Sequence, residues 1–398
     1  MSILSHGLRS SIESSGGQAI PIYDVAVIGG GIIGVSAATY LAEAGLAVVL
    51  IEGSEIGAGA SGRNSGAVQH PFDPLLASLH RRTIELYREL AAGDHGFLID
   101  PQPAGLVVVS DDSDAVARAA VEIAELAPEL APVVLTPAEL ARLEPLLARG
   151  MHGCWLATGY PVAPEAATLA FARRARLAGV EIRVGERAAP QMEGTRPQGV
   201  RLESGGSVVA GQVLIAAGPR TSGIVPAWAK MQPIRPLWGV VVEVSLVDAP
   251  RHVIEELGID RAGPPPETLF SLVSAGGRVS LGSTFLEREP TAGDWIARLL
   301  ERGERYAPAI ASARVIGHRL CARPVTGDGR PLIGALAGSE GLFVCAGHGP
   351  WGISTGPASA RLIVDQMMGN AAEDAALSPG RLSAATVPQY GYGNAHQR

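Results

Sequence analysis

The chain has 398 residues, 47% of them hydrophobic and 50 of them glycine, which suits two packed domains and excludes a fibrous or structureless protein. Its 32 basic and 39 acidic residues leave a formal charge of -7, so neither a nucleic-acid surface nor a basic membrane patch is expected. The three cysteines, Cys154, Cys321 and Cys345, are far apart and form no C-x-x-C pair, which argues against a disulfide framework, and no metal-ligand spacing is present.

Residues 1–21 are rich in Ser and Gly and lack an apolar h-region, so they read as a disordered tail rather than a signal peptide. No apolar run approaches the roughly 20 residues that span a bilayer, and the expected location is the cytoplasm.

From Tyr23 the pattern becomes ordered. Val25 to Ile28 reads as a buried strand, Ile32 to Ala44 as an Ala-rich helix and Ala47 to Ile51 as a second strand. Between strand and helix, Gly29, Gly31 and Gly34 have the G-x-G-x-x-G spacing. The first glycine permits a tight turn, the second brings backbone amides close to a pyrophosphate, and the third lets helix and strand pack closely. The phosphates would lie on the helix N-terminus, whose N–H groups are free and partly positive. Glu52, at the end of the second strand, is placed to accept hydrogen bonds from an adenosine ribose. This block predicts dinucleotide binding and leaves NAD and FAD open.

Gly57 to Gly66 (GAGASGRNSG) is too rich in Gly and Ser for helix or strand and reads as a loop whose donors face an anion or a flat ring. An amphipathic surface helix follows from Leu75 to Ala91, without catalytic signals. Leu106 to Val109 reads as a strand, Ser113 to Leu126 as a helix, and a short helix starts near Thr136 with a proline in its first turn. After a boundary near 149–160, the helix Pro164 to Ala178 and the strands Val180 to Val184 and Val208 to Ala217 resume the first unit. Pro233 to Val247 and Leu269 to Ser283 alternate as antiparallel strands, with Gly276-Gly277 as a hairpin turn, and Asp294 to Arg305 is one more helix. Near the C-terminus, a turn at Asp328-Gly329, a strand Leu342 to Ala346, a Gly-rich break and a helix from Ser354 to Met368 repeat the anion-binding logic of the opening.

Three blocks together carry a resemblance: GGGIIG with Glu52 and SGRNSG, VLIAAGPRTS at Val213 to Ser222, and the RPVTGDGRPLIG and GLFVCAGHGPWGIS segments. With them the chain resembles the D-amino-acid oxidase superfamily of FAD enzymes, in its glycine oxidase and sarcosine oxidase branch. The implied fold is α/β: an interrupted Rossmann-like FAD-binding domain (22–96, 150–222 and 316–370) and a substrate domain on a mixed, largely antiparallel sheet (97–149 and 223–315), with a tail at 371–398. The implied reaction is oxidation of an amino acid or secondary amine, of glycine, sarcosine, D-amino or imino acid type. Hydride passes to flavin N5 and leaves an imine that hydrolyses.

The resemblance also implies roles. Arg323, in the R-P-x-T-x-D-G segment, pairs with the substrate carboxylate, which suits a planar bidentate guanidinium. His348 and Trp351 lie in the Gly-rich break that this branch brings near the flavin. The cofactor set is Gly29, Gly31, Ile32, Ile33, Gly34, Glu52, Ser61, Arg63, Asn64, Ser65, Gly66, Ala217, Gly218, Gly347, Gly352 and Ile353. Gly349-Pro350 follows His348 where related enzymes can carry a further arginine, so no second carboxylate clamp is expected.

Cys321 occupies the place of the flavin-linking cysteine of the monomeric sarcosine oxidases, but non-covalent FAD is the favoured expectation because a small buried thiol is a common structural feature. Ser280 stands where that branch has an oxygen-activating lysine, and Lys230, the only lysine, lies elsewhere. The acceptor is therefore open between oxygen and an electron-transfer partner, as is homo-oligomer formation. His70, Tyr160 and Trp238 are further candidates for the substrate side, and Cys154 and Cys345 are assigned to packing. The alternatives are a flavin-dependent 2-hydroxy-acid dehydrogenase, with His348 as base, and a flavin-bearing subunit of a larger complex.

Overall fold

The structure, a computed structural model, describes residues 11–13, 19–228, 230–258 and 267–382. Two large sheets organise it. The first contains nine strands among the described residues, and its parallel centre runs Leu342–Ala346, Ser207–Ile215, Ala19–Ile28, Val48–Ile51 and Glu181–Arg183. These strands are apolar because helices cover them: Val25, Val27, Val48 and Leu50 join one core cluster with residues of helices Ile32–Glu43, Pro74–Ala92, Ala166–Leu177 and Gly352–Met367. The hairpin Ala188–Glu193 and Arg196–Leu202 extends one edge.

The second sheet has eight strands in the order Arg314–Thr326, Ile234–Ser245, Arg278–Thr284, Thr268–Ala275, Val253–Glu256, Leu106–Ser110, His152–Leu156 and Val133–Leu135. All its pairs are antiparallel except Val253–Glu256 beside Leu106–Ser110. Helix Gly293–Tyr306 packs on one face through Leu299 and Tyr306, whose ring stacks on Phe270 at 4.7 Å. On the other face, helix Ser113–Leu126 packs through Val116, Ala120 and Ile123 over Leu106, Val108, Cys154 and Leu156, and the remaining strands border the site.

Several local readings are met closely. The helix Ser113–Leu126 begins behind Asp112, whose carboxylate accepts from Asp114 and Ala115 amides. The short helix Pro137–Leu143 starts with a complete capping box between Thr136 and Glu139. The Gly276-Gly277 turn joins its two strands as expected, both glycines having positive φ.

Other readings need correction. The segment 57–66 is not all loop: Ala60–Arg63 forms one helical turn, held by the Asn64 side-chain amide, which donates to the Ala60 and Ser61 carbonyls at 3.1 and 2.9 Å. His152–Leu156 and Arg314–Thr326, placed in the FAD-binding segments 150–222 and 316–370, hydrogen-bond into the second sheet. Strand partners lie far away in sequence, so composition alone does not assign a strand to one sheet or the other. Nor is 1–21 a tail throughout, since Ala19–Pro21 pairs with Ser11–Glu13; residues 1–10 and 14–18 lie outside the described residues. In the 371–398 tail, Leu377 and Leu382 are buried, and the Ile333 amide donates to the Leu377 carbonyl at 2.8 Å. Residues 371–382 thus pack on the body, and 383–398 lie outside the described residues.

Candidate active site

A cavity of about 540 Å³ runs between the two sheets, from Glu52 at one end to Glu255, Arg323 and His348 at the other. That size is usual for a ligand or cofactor site.

The glycines at the first end behave as their spacing requires. Gly29 has φ +115°, and a Cβ there would lie 2.4 Å from the Ala216 carbonyl oxygen. A Cβ at Gly34 would stand 1.9 Å from the Gly29 oxygen, so helix and turn touch through bare backbone. At the start of the helix, N-cap Gly31 offers no capping side chain, and the Ile32 amide is met by Ser61 Oγ at 3.0 Å. Glu52 is held by two backbone donors, Gly30 N–H to Oε2 at 2.6 Å and Ser54 N–H to Oε1 at 2.9 Å. Each carboxylate oxygen keeps capacity for a further donor such as a ribose hydroxyl. Glu186 and Arg187, from the turn after Glu181–Arg183, also line this end and were not picked out in the sequence, nor was Arg220 beside Gly218.

In the middle, the Ser61–Ser65 stretch is strapped to the second sheet. Arg319 donates to the Asn64 carbonyl at 3.1 Å and to Ser280 Oγ at 2.6 Å, and pairs with Glu243. Arg63 reaches the Leu320 carbonyl at 3.3 Å. The Cys321 thiol points to the Arg63 carbonyl at 3.7 Å and borders the cavity; burial pushes its pKa up, against nearby Arg323, Arg63 and Arg319. The Asn64 side chain is committed to its own loop, its Oδ1 accepting from Gly66 N–H at 2.8 Å.

At the far end, Arg323 extends across the sheet over Gly239. A Cβ at Gly239 would come 2.6 Å from Nη1, so this glycine makes the space. The guanidinium donates to the Thr284 carbonyl at 2.9 Å and to Ser283 Oγ at 2.6 Å, and lies 4.6 Å from the Phe285 ring. These contacts fix its plane while other N–H groups remain for a ligand. His348 is 1% exposed, and neither ring nitrogen has a hydrogen-bond partner among the described residues. Burial lowers its pKa to about 3, which keeps the imidazole neutral across the physiological range.

The structure therefore brings most of the expected residues to one cavity: Gly29, Gly31, Ile32, Ile33, Glu52, Ser61, Arg63, Asn64, Ser65, Ala217, Gly218, Arg323, His348, Trp351, Gly352 and Ile353. Gly34, Gly66 and Gly347 stand behind its wall, where their lack of a side chain permits close packing. His70, Tyr160 and Trp238 do not line it. His70 packs edge-on against His80 at 5.5 Å, Tyr160 pairs with Val68, and Trp238 pairs with Leu286. Lys230 and Ser280 also lie off the lining, and Cys154 and Cys345 are buried in cores. Sequence reasoning missed Gln69, Glu255, Ser271, Ser283 and Phe285. The structure shows what the sequence did not: the short strand Val253–Glu256 carries two acids yet is buried at all four positions.

A glycine-turn dinucleotide cradle thus opens, through one cavity, onto a sheet bearing an arginine, the arrangement of a nucleotide-dependent oxidoreductase. Residues 24–366 match the FAD dependent oxidoreductase family, and the chain belongs to it. It is 28% identical over 371 residues to the glycine oxidase of Geobacillus kaustophilus (86% of this chain, 92% of that one) and 25% identical over 381 residues to that of Bacillus licheniformis (87% and 94%). The crystal structure of glycine oxidase from Bacillus cereus superposes with a TM-score of 0.79 at 25% identity, over 89% of this chain and 97% of that one.

The cradle suits the family's cofactor: the bare Gly31 turn, the helix N-terminus and the fixed Glu52 match a pyrophosphate and a ribose. The protein is an FAD-dependent oxidoreductase. Among the described residues no metal-binding cluster occurs, and no helix is long and apolar enough to cross a membrane.

Proposed function

We propose that the protein oxidises an amino acid or a related amine that carries a carboxylate, with Arg323 as the anchor and FAD held non-covalently. The observation that carries this reading is the single cavity joining the Gly29–Glu52 cradle to the Arg323 guanidinium. Bound in that cradle, FAD supplies a two-electron acceptor for the hydride of the carbon that bears nitrogen, and water hydrolyses the resulting imine.

What the chain supplies is position and exclusion of water. Arg323 is braced by Ser283, Thr284 and Phe285, so it can take a carboxylate bidentately without reorganising. His348, neutral and buried, offers the substrate or the ring a hydrogen bond without adding charge. Trp351 and Ile353 close the wall beside it. A neutral amine is the reactive form, so rates should rise with pH as the substrate ammonium loses its proton.

A 2-hydroxy acid would fit the same anchor but needs a base for its hydroxyl proton, and a histidine held near pKa 3 is a poor one. An anaerobic screen separates the readings. Glycine, sarcosine, D-amino acids or imino acids should bleach the yellow flavin absorbance, whereas bleaching by 2-hydroxy acids alone would overturn the proposal. Admitting air afterwards assigns the acceptor: rapid return of colour means oxygen, and persistent reduction means an electron-transfer partner.

A further inference from the structure

At the same end as Arg323, the cavity has a second polar pole. Glu255 is 7% exposed and Gln69 5% exposed, and both line the cavity with Ser271. Gln69 Nε2 donates to Glu255 Oε2 at 3.0 Å, which fixes the amide: turned over, it would set its oxygen against the carboxylate. Gln69 Oε1 is consequently committed to the other side, where it is buried and has no hydrogen-bond partner among the described residues. The backbone of Gln69 is pinned as well, its N–H donating to Ser354 Oγ at 3.0 Å. A buried acceptor without a donor is costly, and it marks a place where a ligand donor belongs.

We infer that Gln69 and Glu255 form a specificity subsite for a second, non-reacting cationic group of the substrate, so that the preferred amine carries a carboxylate at one end and an ammonium at the other. This rests on the proposed role of Arg323 as the carboxylate anchor. Two acceptors, one of them a carboxylate, select a cation over an anion or an alkyl group.

The reacting nitrogen is not the group held there, because a carboxylate beside it would stabilise the protonated form that cannot give up hydride. The spacing agrees. Glu255 pairs with Ser271 and Ser271 with Gly282, so the carboxylate lies two strands from the segment that braces Arg323. With strands about 4.8 Å apart, the poles are about 10 Å from each other, a span of several carbon–carbon bonds.

N-aminobutylglycine and N-pentylglycine test this directly, since they share length and lack chirality, and differ in a terminal ammonium against a methyl. With the FAD-loaded wild-type protein, the rate constant of anaerobic flavin reduction divided by the substrate Kd should be about 10-fold or more in favour of the aminobutyl compound, mostly through Kd. In Glu255→Gln, checked for unchanged FAD content and melting temperature, that compound should lose about 10- to 100-fold while the pentyl compound stays within about twofold. Equal or better turnover of the pentyl compound by the wild type, which needs no variant, would overturn the subsite; so would equal losses for both compounds in Glu255→Gln. If glycine or sarcosine reduces the flavin but neither long compound does, the subsite alone is wrong. If no amine does, the proposed function falls with it.

Discussion

The two ends of the cavity are built in opposite ways. The nucleotide end comes largely from one continuous stretch: Gly29, Gly31, Glu52 and Ser61 lie within a few tens of residues, and backbone amides of the glycine turn donate to the Glu52 and Ser61 side chains. The end proposed to take the substrate is lined by Gln69, Glu255, Ser271, Ser283, Arg323 and His348, which come from five strand or loop segments and the approach to the last helix. A site made of local backbone tolerates little change in shape but depends weakly on side-chain identity. A site made of distant side chains on a sheet face can change its specificity one residue at a time, because the sheet holds the positions whatever they carry.

That contrast can be broken by substitution. The largest effect is expected at Gly34→Ala, where the added methyl meets the Gly29 carbonyl oxygen at 1.9 Å and must push helix from turn. The purified protein should lose its yellow colour and melt several degrees lower, seen in the ratio of flavin to protein absorbance and in a thermal melt. A Gly34→Ala protein that kept its FAD would show the cradle to be more forgiving than its backbone contacts imply.

Arg323→Met should be smaller in stability and sharper in function. FAD content should be preserved, while kcat/KM for a carboxylate substrate falls on the order of 1,000-fold, as expected for loss of a buried charge-assisted pair. Unchanged kinetics with an amino acid would remove Arg323 from the anchor role. The mildest change is Cys321→Ala. Its thiol is buried, pushed up in pKa and turned to the Arg63 carbonyl, which supports the proposed non-covalent flavin. Acid precipitation of the wild type should release all the colour to the supernatant, and the variant should do the same; colour retained in the wild-type pellet alone would establish a covalent link through Cys321.

Which features were legible follows from the same contrast. The helix starts at Asp112 and Thr136 could be read because capping is a matter of three or four adjacent residues. The dinucleotide turn could be read because its steric demand is met by glycines at fixed spacing. By contrast, His152–Leu156 and Arg314–Thr326 were credited to the wrong sheet, since the strands that place them there, Leu106–Ser110 and Ile234–Ser245, lie more than 40 residues away in the chain. Gln69 and Glu255 escaped notice for a related reason: one follows a two-residue strand, the other lies in a four-residue strand with a second acid beside it, and neither has a motif.

The sequence by itself determined the cofactor half of this protein, because backbone conformation near a glycine turn is governed by immediate neighbours. It also singled out Arg323, through the segment in which that arginine stands. Only the tertiary structure decided that Arg323 is braced over Gly239 by Ser283, Thr284 and Phe285, and that a bonded glutamine and glutamate line the same cavity. Those contacts depend on which strands lie side by side, and strand order is a property of the whole folded chain.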